Sequence, residues 1–302
     1  MQIEELRRRS RGIYVFAITP LLEKSGRTQV DEEGVRRNTE SWVKAGIPVV
    51  VVCGGVGELW HLAQDEHIRV VEAAAQQAAG RVVVIAGVTG DTAQCVETAR
   101  RVEEAGADGV LLFPDRESIR WREELVDFYT HVSGAVDIGI VPFRADETVD
   151  LETIRRLADL PNVIALKEES ERLDEFKNIV REAGDRIIVA GAGSDQLAPC
   201  FLLMGAGALT SSLSNHLPGQ LVDMWEAAQR GDFRTVTKIQ GALRPIEILR
   251  QRHGHSLHKA AMEIIGLAGG PSRSGQARLG EAERTELRGH LSRLGAIQPD
   301  GV

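Results

Sequence analysis

The chain has 302 residues, 43% of them hydrophobic, and a formal net charge of −8. Its length suits one α/β barrel of roughly 250 residues plus an extension, and its acidic balance argues against a nucleic-acid partner. No apolar run approaches the roughly 20 residues that cross a bilayer, so no membrane partner is expected.

The segment MQIEELRRRSRG has no apolar stretch of the kind a secretory signal needs. Its basic run, Arg7 to Arg9 with Arg11, follows Glu4 and Glu5 and reads as a solvated first helix. A first strand is predicted over Ile13–Ala17, then a helix over Asp31–Ala45. Strand and helix then alternate: Pro48–Cys53 and Asp65–Ala79, Val82–Ala86 and Thr92–Ala105, Gly109–Phe113 and Glu123–Val132. Next come Asp137–Val141 and Leu151–Leu160 with Asp150 as N-cap, then Val163–Lys167 and Asp174–Ala183. Ile187–Ala190 and Ala208–Ser211 complete eight strands. Several are continuous β-branched runs, as in parallel strands buried on both faces. Gly46, Gly80, Gly106 and Gly184 stand where left-handed glycines stop helices.

This order predicts an α/β fold, a (β/α)8 TIM barrel over residues 1–218. A helical extension follows over 219–302, interrupted by a Gly/Pro/Ser loop at 266–275. The first turn, Thr19-Pro20-Leu21-Leu22, carries no GxGxxG, which disfavours a dinucleotide-binding sheet. Cys53, Cys95 and Cys200 form neither a disulfide framework nor a zinc motif, so a reducing, cytoplasmic setting is expected.

In such barrels the reacting groups stand at the C-terminal ends of the strands. Only six of the 36 basic residues are lysines, and Lys167 alone ends an apolar strand. A lysine directed into the mouth is desolvated, and its neutral amine can attack a ketone to form a Schiff base; arginine cannot. Position alone fits equally well an ion pair with Glu168 or Glu169. The Gly54–Glu58 loop offers backbone N–H groups to a carboxylate or phosphate, or is a bare turn. Arg144, after the fifth strand, suits a bidentate carboxylate or a surface salt bridge. Gly191–Asp195 lies where many barrels bind phosphate, yet no Lys or Arg accompanies it. His253, His255 and His258 have metal-ligand spacing but fall in the extension, away from the mouth; no metal or cofactor is expected.

Several motifs, in order, resemble the dihydrodipicolinate synthase/N-acetylneuraminate lyase family of class I Schiff-base aldolases. They are Ala17-Ile18-Thr19-Pro20, Gly54-Gly55-Val56-Gly57-Glu58, Ala105-Gly106-Ala107-Asp108-Gly109, Pro161-Asn162-Val163 through Lys167-Glu168, and Gly205 through Ser211 to Asn215 and Pro218. The resemblance puts Lys167 at the Schiff-base position. Gly55 and Val56 take the two threonine positions of the Gly-Thr-Thr-Gly-Glu loop, which grips the carboxylate of a 2-oxo acid. The loop looks most like that of the 5-dehydro-4-deoxyglucarate dehydratases, Gly-Gly-Thr-Gly-Glu-Phe.

Two departures matter. The family's strand-5 tyrosine falls on Gly139 in one register and on Pro142 in another, and Pro114-Asp115 replaces its Pro-Tyr. Phe16 stands where relatives have a small residue, so a partly filled pocket is expected. With these departures the resemblance implies a Schiff-base lyase, aldolase or dehydratase acting on a small 2-oxo acid, of the pyruvate or keto-deoxy sugar acid type. The standard lysine-biosynthesis synthase is disfavoured, and the alternative is a non-catalytic relative that binds such an acid. Lys167 would be catalytic, and Gly55, Val56, Arg144 and Ser211 would bind substrate. Asp115, Glu58 or a substrate hydroxyl would relay protons. Family members are commonly tetramers, so a homo-oligomer, dimer or tetramer, is expected.

Overall fold

The computed structural model describes residues 1–115, 117, 119, 121–193 and 195–297. After helix α1 (Ile3–Arg9) and strand β1 (Gly12–Phe16) comes an antiparallel hairpin, β2 (Leu21–Lys24) and β3 (Arg27–Val30). Helix and strand then alternate through α2 (Glu32–Lys44), β4 (Val49–Val52), α3 (Gln64–Ala78), β5 (Val83–Gly90), α4 (Thr92–Glu104) and β6 (Gly109–Pro114). The pattern continues with α5 (Arg122–Ser133), β7 (Gly139–Arg144), α6 (Leu151–Ala158), β8 (Ala165–Glu168), α7 (Leu173–Ala183), β9 (Ile188–Gly191), α8 (Ala198–Leu203) and β10 (Ala208–Ser211). Helices α9 (Pro218–Gln229), α10 (Phe233–His253), α11 (His255–Ile264) and α12 (Glu281–Arg293) follow.

Eight parallel strands close a barrel in the order β1-β10-β9-β8-β7-β6-β5-β4, and β4 pairs back to β1. Helices cover the outside and side chains fill the inside, so a strand such as Val49–Val52 is buried at every position. Helix starts follow the sequence closely. The Asp31, Asp91 and Asp150 side chains each accept the backbone N–H of the third helical residue, at 2.8–2.9 Å. Gly46, Gly80 and Gly106 take the left-handed φ expected of helix stops, whereas Gly184 has a φ of −63° and ends its helix without that turn. Among the described residues, no helix is long and apolar enough to cross a membrane.

Three departures from the sequence reading shape the site. The β2–β3 hairpin occupies what reads as a simple loop. Strand β7 ends at Arg144 rather than Val141, which brings Pro142, Phe143 and Arg144 into the sheet. Helix α9, counted with the extension by a boundary at 218/219, packs against β1 and completes the eighth β/α unit. At the opposite, N-terminal face α1 closes the barrel. Arg7 donates to the Val163 carbonyl at 2.8 and 3.1 Å, and Leu6 lies over Gly139.

Asn215 ties the last loop to the first strand. Its side chain accepts the Ile18 N–H at 3.0 Å and donates to the Phe16 carbonyl at 2.7 Å, both in the interior, and to the half-buried Ser212 carbonyl at 2.8 Å. Truncation strands a buried N–H and a buried C=O where water cannot replace the amide. Asn215→Ala is expected to cost about 2–4 kcal/mol in urea unfolding, whereas a loss under about 0.5 kcal/mol, the range of an ordinary surface change, would refute this seam.

Candidate active site

Paired residues on adjacent strands of a barrel face the same side, and successive residues alternate. Phe143 pairs with Lys167, and Arg144 pairs with Glu168. Phe143 and Lys167 line a cavity of about 800 Å³ at the C-terminal mouth. Lys167 is only 7% exposed. Its Nζ lies 4.4 Å from the Phe143 ring centroid and 4.9 Å from that of Phe16, and it is ion-paired with the Glu169 carboxylate. Burial pushes the amine below the ordinary lysine range, and the negative charge of Glu169, then Glu168, pulls it back up. A strand-end amine on the cavity and an ion pair with Glu169, alternatives in the sequence, are thus present together.

The Gly-rich loop follows β4. Cys53 and Glu58 bracket it, both in the left-handed region at φ 52° and 59°. Gly87 on β5 backs it so closely that a Cβ there would meet the Cys53 carbonyl at 2.1 Å. The loop closes on itself through Glu58 N–H to the Gly55 carbonyl (3.1 Å) and Leu59 N–H to the Gly54 carbonyl (3.2 Å). Gly55 and Val56 line the cavity with Lys167, and neither backbone N–H has an acceptor among the described residues. Val56 adds no hydroxyl, so backbone amides are what this wall offers an anion.

Glu58, a candidate proton relay in the sequence, is committed elsewhere. It is 2% exposed. Its carboxylate accepts the Ser272 hydroxyl and the Arg273 and Ser274 N–H groups at 2.6–3.0 Å, and pairs with Lys259 at 2.5 Å. Burial opposes the charge of Glu58, but these partners together hold its carboxyl below the usual range. Arg273 in turn forks onto Glu66 at 2.5 and 2.8 Å and donates to Thr28 on β3. The Gly/Pro/Ser segment is therefore a strap fastened across the barrel mouth.

The extension also supplies Arg250 and His255 to the cavity wall, although the sequence sets the histidine cluster away from the mouth. No periodicity signals this, because the return of α10 and α11 over the strand ends is a tertiary event. His258 stacks on His216, with Nδ1 of His258 3.2 Å from Nε2 of His216, and burial keeps both rings below the ordinary histidine range. Among the described residues, no group of three or more His, Cys, Asp or Glu side chains gathers as a metal site.

Ser211 reaches the mouth, but its hydroxyl accepts the Leu213 N–H at 3.1 Å and bonds the Asp195 carboxyl. Ser194, in the loop considered for phosphate, and Arg116, beside Asp115, lie outside the described residues. Thr89, Gly90 and Trp60, unremarked in the sequence, line the cavity as well.

Arg144 requires correction. It stands on the outward side of β7, is 2% exposed, and does not line the mouth. Its guanidinium donates to Glu168 (2.7 Å), Ser170 (2.7 Å) and the Val149 carbonyl (2.7 Å), and pairs with Glu175. Four of its five N–H donors are engaged there, on the outer side of the strand and away from the mouth lining. The tyrosine positions move too. Gly139 lies at the floor under α1, and the residue of β7 that faces Lys167 is Phe143.

Two outcomes follow. Arg144→Ala leaves Glu168 buried and unpaired, and is expected to cost about 3–5 kcal/mol in urea unfolding while leaving 2-oxo acid affinity in the folded protein unchanged. A selective loss of affinity would restore Arg144 to the site. Burial raises the Asp195 carboxyl from 3.8 to about 7, against the Ser211 hydrogen bond and with help from Glu247. It holds its proton more tightly folded than unfolded, so its stabilising contribution is present below about pH 4 and fades as pH rises through about 7. Relative to the parent, Asp195→Asn should gain up to about 1.4 kcal/mol per pH unit across that window; parallel pH profiles in urea melts would refute it.

The model of the dihydrodipicolinate synthetase family matches residues 9–294. A Methanospirillum hungatei protein is 32% identical over 289 residues, covering 93% of this chain and 98% of its own. One from Halorhodospira halophila is 33% identical over 294 residues, covering 95% and 98%. Both bear the name 4-hydroxy-tetrahydrodipicolinate synthase. The crystal structure of dihydrodipicolinate synthase from Oceanobacillus iheyensis superposes with a TM-score of 0.88 at 25% identity, covering 98% of this chain and 100% of its own. These names overturn the expectation of a dehydratase-like or non-catalytic relative distinct from the standard synthase. That expectation rested on one short loop and on absent hydroxyls, and likeness along the whole chain outweighs them. The chain belongs to the dihydrodipicolinate synthetase family, a family of class I aldolases, and is a Schiff-base-forming enzyme of the lyase and aldolase type.

Proposed function

We propose that this enzyme carries out the reaction for which its curated relatives are named, the synthesis of 4-hydroxy-tetrahydrodipicolinate, with pyruvate as the 2-oxo acid that joins Lys167. The observation that carries this reading is one desolvated amine at a strand end, facing a cavity whose opposite loop presents the Gly55 and Val56 N–H groups. The amine nitrogen adds to the keto carbon, and loss of water leaves a protonated imine. Its positive charge draws electrons from the adjacent C–H bond, so a methyl proton leaves and an enamine forms. The enamine carbon then bonds to the carbonyl carbon of an aldehyde acceptor. The amides of the Gly-rich loop hold the pyruvate carboxylate, which needs no side-chain hydroxyl. A cavity of about 800 Å³ takes both reactants. Phe16 narrows the floor without closing it.

Borohydride reduction in the presence of pyruvate is expected to add one pyruvate-derived group per chain, on the peptide containing Lys167. Lys167→Ala should abolish the adduct. A folded parent protein that traps no pyruvate, or an adduct that survives the substitution, would overturn the reading.

A further inference from the structure

We infer that Glu169 is the proton-transfer group of this active site, in the place of the hydroxyl that the barrel wall opposite Lys167 lacks. The inference rests on the Schiff-base reading above and deepens it.

The surroundings of the amine carry the case. Phe143, the β7 residue paired with Lys167, presents a ring face, and Phe16 presents another. Neither can give or take a proton. The chain has two tyrosines, and neither lines the cavity. Tyr14 is buried in β1, and the Tyr129 hydroxyl accepts the Phe143 N–H at 3.3 Å from the outer helix α5. Glu168 is turned out to Arg144, and Glu58 is held by the strap and Lys259. Asp115 and Asp146 line the cavity too, but the carboxylate ion-paired with the amine is that of Glu169. It is the first residue past β8, on the cavity wall, and its carboxylate is the polar partner of the Lys167 amine. Its side chain is 36% exposed, so it exchanges protons with solvent.

The proton balance closes with this one group. In the resting pair Lys167 is an ammonium beside a carboxylate. As the keto acid enters, Nζ passes a proton to Glu169, and the freed lone pair forms the C–N bond. Internal proton transfer gives a neutral carbinolamine. Glu169 returns its proton to the carbinolamine hydroxyl, the C–O bond breaks, and water leaves a protonated imine. The carboxylate then takes a proton from the neighbouring carbon, and the C–H electron pair becomes the enamine double bond. When the enamine attacks the aldehyde, Glu169 protonates the developing alkoxide. A carboxylate beside a Schiff-base lysine, at first sight a device that keeps the amine charged, thereby becomes its proton reservoir.

Exchange of the pyruvate methyl protons for deuterium, followed by proton NMR in D2O, reads the enamine step directly. The parent protein should exchange them. Glu169→Gln should slow exchange by about 10²- to 10⁴-fold in protein that remains folded at the assay temperature, while Glu169→Asp recovers part of the rate. In Glu169→Ala, added formate should restore exchange. Exchange in Glu169→Gln within about threefold of the parent would overturn this inference alone. So would a loss that neither aspartate nor formate relieves, since that marks a structural role. If Glu169→Gln does not fold, the Asp and Ala variants decide by the same criteria. No exchange and no borohydride adduct in the folded parent would instead overturn the Schiff-base reading, and this inference with it.

Discussion

Adjacent strands of a closed barrel show paired residues to the same side, so the pairing of β7 with β8 sets two environments at once. With Phe143 opposite Lys167, the amine faces inward between aromatic rings. With Arg144 opposite Glu168, a buried ion pair forms on the outer side, joined by Glu175 and Ser170. Sliding one strand by a single residue would exchange these roles and bury an arginine in the mouth. The outer network lies behind the wall that carries the amine. As an intact pair it adds little net stability, because desolvating two charges cancels much of their attraction, but removing one partner alone is costly.

A second set of charges holds the mouth itself. Glu58 ends the Gly-rich loop in a left-handed conformation and collects donors from the strap and from Lys259. Arg273 carries the connection on to Glu66 at the start of α3 and to Thr28 on the hairpin. Loop, hairpin and extension therefore share one hydrogen-bonded girdle. It fixes the open amides of Gly55 and Val56 in place before any ligand arrives, which lowers the ordering cost of binding.

The wall around Lys167 is apolar, with the Phe16 and Phe143 rings flanking the amine. Ring faces stabilise a cation, whether ammonium or protonated imine, without taking its proton. The carboxylates around the mouth differ sharply in their freedom. Glu58 and Glu168 are locked by cations, Asp195 is sealed behind Ser211, and Glu169 sits on the cavity wall, partly open to water. Position relative to the strand end, rather than residue type, sorts them.

Much of the fold was legible because it is local. Apolar runs of strand length, aspartate caps and helix-stopping glycines are read within a few residues, and they mark eight β/α units and the helices beyond. Lys167 was legible for the same reason, as a rare lysine ending an apolar strand. Arg144 was not, because whether it lies inside or outside depends on where β7 ends and how it pairs, and both are settled by a neighbour 24 residues away in sequence. The places of Arg250 and His255 on the cavity wall were hidden likewise, since two distant helices meet the mouth only when the barrel closes. Sequence by itself determined the architecture and singled out Lys167 as the lysine that ends an apolar strand, through short-range periodicity and residue chemistry. Tertiary structure alone decided which charges face the amine, because strand register and helix return are long-range choices that no local pattern encodes.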